Sequence, residues 1–143
     1  MELHSKAKGT IGELAVAQDL IRQNYAVFTE LGDLSKVDLI ALKGSKVLRL
    51  QIKSVFEKEG TASIGLGSSG PNYKYYYTAE DVDVMVLYVI DLDEIIYVPI
   101  QLFGERKHMT FRLDDRPRQR KSSTANEAKK FSTLDEAMKH LGS

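Results

Sequence analysis

The chain has no cysteine. A disulfide scaffold and thiolate metal sites are therefore excluded, and nothing argues for secretion. It has no net charge of either sign: 20 Lys and Arg balance 20 Asp and Glu. A globally basic nucleic-acid binder is thus excluded, though a local basic patch is not. The start, MELHSKAKG, lacks the apolar core of a signal peptide, and no run is long enough to span a membrane. These absences imply a soluble, cytoplasmic protein with no membrane partner. The three histidines, His4, His108 and His140, show no metal-ligand spacing. The stretch GLGSSG (65–70) lacks the lysine and following Ser/Thr of a P-loop, which removes nucleoside triphosphate binding by that motif.

What is present suits one ordinary domain, residues 1–143, with a single core. Lys6–Asn24 reads as an amphipathic helix with Ile11, Leu14, Ala15 and Ile21 at helical spacing, widened by Val16, Ala17 and Leu20. Tyr25–Glu30 reads as a short strand and Leu31–Lys36 as a polar turn. Val37–Leu42 is a second strand, and Lys43–Lys46 a hairpin-type turn. Val47–Val55 is the third and longest strand. Glu57–Gly70 is charged, then glycine-rich, with a short edge strand at Thr61–Leu66 and a flexible loop at Ser68–Gly70. Tyr73–Tyr77 is extended, with Tyr73, Tyr75 and Tyr77 on one face, better suited to packing than to stacking on bases. Val82–Ile90 and Glu94–Ile100 form a hairpin around Asp91–Asp93, and Met109–Leu113 is one more strand. Ala125–Phe131 looks helical. Ser132 or Thr133 caps a last helix, with Asp135 and Glu136 placed for a capping box. The class is α/β or α+β, a mixed β-sheet flanked by helices.

The chemistry concentrates in residues 37–53, VDLIALKGSKVLRLQIK. Side chains alternate along a strand, so Leu48, Leu50, Ile52 and Ser54 form the core face of the third strand. Arg49, Gln51 and Lys53 share the other face. Asp38 is the one polar position in an otherwise apolar second strand. A buried acid of that kind is paired, ligates a cation, or ends a strand in a cleft. Counting outward from Gly44-Ser45, Asp38 and Gln51 each lie about six residues away, so they are near cross-strand partners. Asp38, Gln51 and Lys53 therefore converge. A carboxylate and an amide oxygen suit a hard cation such as Mg²⁺. A lysine beside them suits metal-assisted hydrolysis of a phosphodiester. Glu13, on the first helix with Val16, Ala17 and Leu20, is the further candidate ligand.

The spacing D-x(12)-Q-x-K resembles the PD-(D/E)XK nuclease superfamily, whose core is a helix, three antiparallel strands, then a helix and another strand. "VD" (37–38) stands for "PD" and "QIK" (51–53) for "(D/E)xK". KGTIGELAVAQDLIRQNYAVF (8–28) is similar to the opening helix of the Holliday-junction-resolvase-like branch, whose extra glutamate maps to Glu13. The third-strand glutamine and the segments 75–100 and 126–131 look like a subgroup that includes a homing endonuclease of bacterial group I introns.

The resemblance implies a restriction-endonuclease-like fold and a Mg²⁺-dependent endonuclease acting on double-stranded DNA, with Mn²⁺ as the substitute ion. Glu13, Asp38 and Gln51 are then the metal ligands, and Lys53 joins them in catalysis. Gln51 in place of an acid lowers the negative charge at the metal. Two other readings of the same residues stand beside it: a junction resolvase, and a DNA-binding relative without catalysis. Basic residues outnumber acids from Arg106 to Lys130, most densely in RPRQRK (116–121). Arg116, Arg118, Arg120 and Lys121, with Lys74, are the candidate phosphate contacts. A chain this short covers a long homing target only as an oligomer, hence a homodimer or homotetramer.

Overall fold

The computed structural model describes residues 2–113 and 126–142. Helix α1 (Ser5–Arg22) begins at His4, whose ring nitrogen accepts the Lys6 N–H at 3.2 Å. Asn24, at φ +70°, takes the left-handed conformation just past the helix end and turns the chain into the sheet. Three strands follow: β1 (Ala26–Phe28), β2 (Leu39–Lys43) and β3 (Lys46–Val55). Next come β4 (Thr61–Gly65), β5 (Gly67–Gly70), β6 (Tyr73–Tyr76), β7 (Val84–Val89) and β8 (Glu94–Pro99). A 3-10 turn (Ile100–Phe103), β9 (His108–Arg112), β10 (Asn126–Glu127), a second 3-10 turn (Ala128–Phe131) and helix α2 (Leu134–Lys139) complete the described residues. No helix among them is long and apolar enough to cross a membrane.

The main sheet has five strands in the order β1-β2-β3-β7-β8. Every neighbouring pair is antiparallel except β3–β7, which is parallel. A parallel pair needs a long crossover, and here β4, β5 and β6 supply it. β7 reads VMVLYV and is buried at every position, the pattern of a strand covered on both faces. This is a mixed α+β architecture with a restriction-endonuclease-like sheet, as the sequence implied. β4 pairs with β9 and β9 with β10 in a second, three-stranded sheet.

Three expectations are corrected. The buried line of α1 is Gly12, Val16 and Leu20, whereas Ile11, Leu14 and Ile21 are exposed. Apolar residues surround this helix, so periodicity does not choose the face. Gly12 does, because a Cβ there would collide with Ser54 on β3. The close approach turns the i, i+4, i+8 ridge onto the sheet. Second, the described part of Ala125–Phe131 is not an α-helix but β10 and a 3-10 turn, because Asn126 and Glu127 pair in parallel with Phe111 and Arg112. Third, Ser68–Gly70 is not a flexible loop but part of β5. It pairs with Tyr73–Tyr76, and its glycines leave room for the facing rings of Tyr73 and Tyr76. Thr133, rather than Ser132, caps α2, accepting from Glu136 N–H at 3.2 Å.

Candidate active site

The site is built on the β2–β3 hairpin. Gly44, at φ +63°, and Ser45 close it as a two-residue turn, the tight connection that fixes register. Leu39 stands opposite Leu50, so one step further out Asp38 faces Gln51. The Asp38 N–H donates to Leu50 O at 2.8 Å. The Asp38 carboxylate in turn accepts the Ile52 N–H at 2.8 Å. Both bonds hold the acid at the strand's end while Leu48, Leu50 and Ile52 carry the buried face.

Lys53 lies one pleat beyond Gln51 and is half-buried. Its ammonium donates to Gly65 O at 2.9 Å and Gly67 O at 2.7 Å. It also lies 5.5 Å from the centre of the buried Tyr77 ring. Desolvation pulls its pKa below the usual lysine value, with the nearby Tyr75 hydroxyl acting the other way. Glu13 is half-buried on α1, and desolvation raises its pKa. Asp38 is pushed up to about 6: desolvation leads, the Ile52 N–H acts downward, and the charges of Glu13 and Asp33 add to the rise. Glu13 is therefore close enough for its charge to bear on Asp38. Asp38 and Gln51 are register neighbours on adjacent strands and Lys53 stands one pleat beyond Gln51, while the charge of Glu13 on α1 bears on Asp38.

This donor set fits a divalent cation. Asp38 and Glu13 are half-buried acids with no ion pair among the described residues; burial makes the charge of each costly, and the charge of Glu13 adds to the cost at Asp38. Bringing a cation between them relieves both burdens. Gln51 offers a neutral carbonyl oxygen on the same side. No group of three or more His, Cys, Asp or Glu side chains gathers for a metal among the described residues, so donors beyond the two acids are neutral oxygens or waters.

Lys74 is exposed on β6, its ammonium 5.7 Å from the Tyr76 ring centre. Arg116, Arg118, Arg120 and Lys121 lie outside the described residues. Tyr73, Tyr75 and Tyr77 do share a face: the first two rings stack at 5.9 Å and the last two meet edge-on at 5.4 Å. Sequence reasoning missed the Gly65 and Gly67 carbonyls that hold Lys53. Main-chain acceptors leave no residue-type signal, and the GLGSSG run was weighed only against a P-loop. It also missed Asp33, which had been read as part of a polar turn.

A model of the family described as PD-(D/E)XK endonuclease matches residues 3–134. Among solved structures, a bacterial homing endonuclease, I-Ssp6803I, is similar in fold. The two superpose with a TM-score of 0.70 at 23% identity, covering 85% of this chain and 86% of the other. No curated protein matches the chain.

Proposed function

We propose, since this chain belongs to the PD-(D/E)XK endonuclease family, that it is a Mg²⁺-dependent endonuclease that hydrolyses phosphodiester bonds at a specific site in double-stranded DNA. One observation carries the catalytic part: Asp38 stands across from Gln51, with Lys53 one pleat along and Glu13 in electrostatic range. Asp38 and the Gln51 carbonyl oxygen would hold the metal, and Glu13 would complete the set directly or through a water. When bound, the cation supplies Lewis-acid stabilisation of the phosphate and a more acidic water.

The side chains do the rest. Asp38 is fixed through one oxygen by the Ile52 N–H, and the bond leaves its other oxygen for the cation. Lys53, fixed by two carbonyls, holds an ammonium where negative charge grows on the phosphate oxygens, and it orients the attacking water. Hydrolysis joins the water oxygen to phosphorus and breaks one P–O ester bond, and the departing oxygen takes up a proton. Lys74 and the basic residues from 106 to 121, Arg116, Arg118, Arg120 and Lys121 among them, contact the phosphates flanking the break. The fold likeness to a homing endonuclease supports a long target, which two or four copies of the chain read together.

The test is cleavage of supercoiled plasmid and of a four-way junction with Mg²⁺ or Mn²⁺, against a chelated control. Discrete plasmid fragments support the site-specific reading. Junction cleavage without sequence demand replaces it with a resolvase. DNA binding without cleavage under any divalent ion leaves a non-catalytic relative.

A further inference from the structure

The connection between β1 and β2 carries the two most exposed large apolar side chains of the described residues. Leu31 and Leu34 stand at 106% and 98% exposure, against 65% for Leu14, the next highest. A single exposed leucine is ordinary; two on a braced loop are not. Glu30 does the bracing: its carboxylate accepts the N–H of Leu34 at 2.6 Å and of Ser35 at 2.9 Å. Ser35 Oγ accepts the Val37 N–H at 3.2 Å. Lys36 is tied to Asp81 at 3.5 Å and lies 4.0 Å from the Tyr75 ring centre. The leucines are thus presented on a loop already ordered in the free protein, which lowers the entropy cost of using them.

Their position ties them to the site. Asp33, between them, is near enough for its charge to bear on Asp38. The loop runs directly into Asp38, over a mainly apolar cavity of about 340 Å³ lined in part by Phe28, Val37, Leu39 and Asp38. Leu34 stands only four residues before Asp38, and Glu30 and Ser35 of the loop line the same cavity as Asp38, so a duplex that offers a phosphodiester to Asp38 comes within reach of the loop. A phosphate-gripping loop would carry Lys or Arg at its tip. This one carries leucines, a residue type that proteins drive between base steps.

We propose that Leu31 and Leu34 form a wedge that enters the duplex beside the scissile phosphate and unstacks a base step. This rests on the endonuclease reading above. A wedge at this place unwinds and kinks the DNA locally, so the cut favours steps that unstack easily, such as TA and CA/TG.

The test needs no knowledge of the target. Relaxed plasmid is incubated with the cleavage-blocked Lys53→Ala protein, treated with topoisomerase I, and stripped of protein. Topoisomers are compared with those from Lys53→Ala protein that also carries Leu31→Ala and Leu34→Ala, at equal bound protein by gel shift. The wedge predicts a shifted topoisomer distribution with the leucines and at least a threefold smaller shift without them. Leu31→Phe/Leu34→Phe should keep the shift. Circular dichroism melts of the alanine variant should match the parent, since both side chains are solvated.

Equal binding with no topological change in either protein overturns the wedge. Plasmid cleavage by the unmodified chain with Mg²⁺ then shows that the nuclease reading survives it. A parent that neither binds nor cuts DNA ends both. If alanines at these positions convert a sedimenting oligomer into a monomer, the leucines are a contact between copies and the wedge is wrong.

Discussion

Asp38 and Asp83 are both half-buried aspartates whose carboxylates accept a main-chain N–H from β3: Ile52 for one, Arg49 for the other. Desolvation works upward on each. Their pKa values nevertheless move in opposite directions. Arg49 grips Asp83 with two side-chain bonds of 3.1 and 3.0 Å, and hydrogen bonding plus charge outweigh burial, so the value falls. Asp38 has neighbours of its own sign, Glu13 and Asp33, and its value climbs to about 6. Arg49 is itself fully engaged, donating also to Ala79 O and Glu80 O at 2.9 and 2.8 Å. One acid is a rivet between β3 and the segment before β7. The other is kept costly, and a cation removes the cost. The partner set separates structure from chemistry where residue type and burial do not.

The largest effect that would sharpen this contrast is on cleavage. Lys53→Ala should lower plasmid cleavage about 10²-fold or more, since it removes a charge beside the reacting phosphate, while the protein remains folded by circular dichroism. Undiminished cleavage in that variant would break the assignment. Asp83→Ala should do the reverse: cleavage per folded molecule holds, while urea denaturation shows a loss of about 2 kcal/mol from the stranded Arg49 guanidinium.

A pH series in chelator reads the two acids directly. Asp38 binds its proton more tightly folded than unfolded, about 6 against an ordinary 3.8. Its contribution to the metal-free fold is therefore fully present below pH 3.8 and is lost as pH rises to about 6. Asp83 has the opposite sign: its contribution is present above 3.8 and is lost as pH falls through its lowered value. Thermal melts should show that Asp38→Asn shrinks the decline between pH 4 and 6, leaving the share that the raised pKa of Glu13 contributes, and raises the melting temperature at pH 7. Cleavage should weaken as pH falls through 6, because protons and metal compete for Asp38.

Gln51→Glu adds a third charge to the same site. It should lower the Mg²⁺ concentration at half-maximal cleavage several-fold, and an unchanged metal requirement would remove Gln51 from the ligands. The smallest effect concerns α1. Leu14→Ala should change stability by under about 0.5 kcal/mol, whereas Leu20→Ala on the buried ridge costs about 2–4 kcal/mol.

Much of the site was legible because it sits on a two-residue hairpin. Alternation and a tight turn set which residues of β2 and β3 face each other, and Asp38 met Gln51 by counting alone. The Asp38 anchor at Ile52 N–H, the Lys53 clasp and the Asp33 neighbourhood were not legible. Each depends on main-chain groups or on residues whose type says nothing about where they end up. The face of α1 was misread for a related reason: apolar residues encircle the helix, and only the fit of Gly12 against Ser54 breaks the tie.

By itself the sequence determined the local order: a capped helix, the hairpin, its register, and the pairing of acid with amide, because turn length and period-two alternation act within a few residues. Tertiary structure alone decided what the acids and the lysine feel. Charge and desolvation depend on what the fold brings near from distant parts of the chain: Glu13 from the helix, Gly65 and Gly67 from the crossover, and Asp83, which engages Arg49.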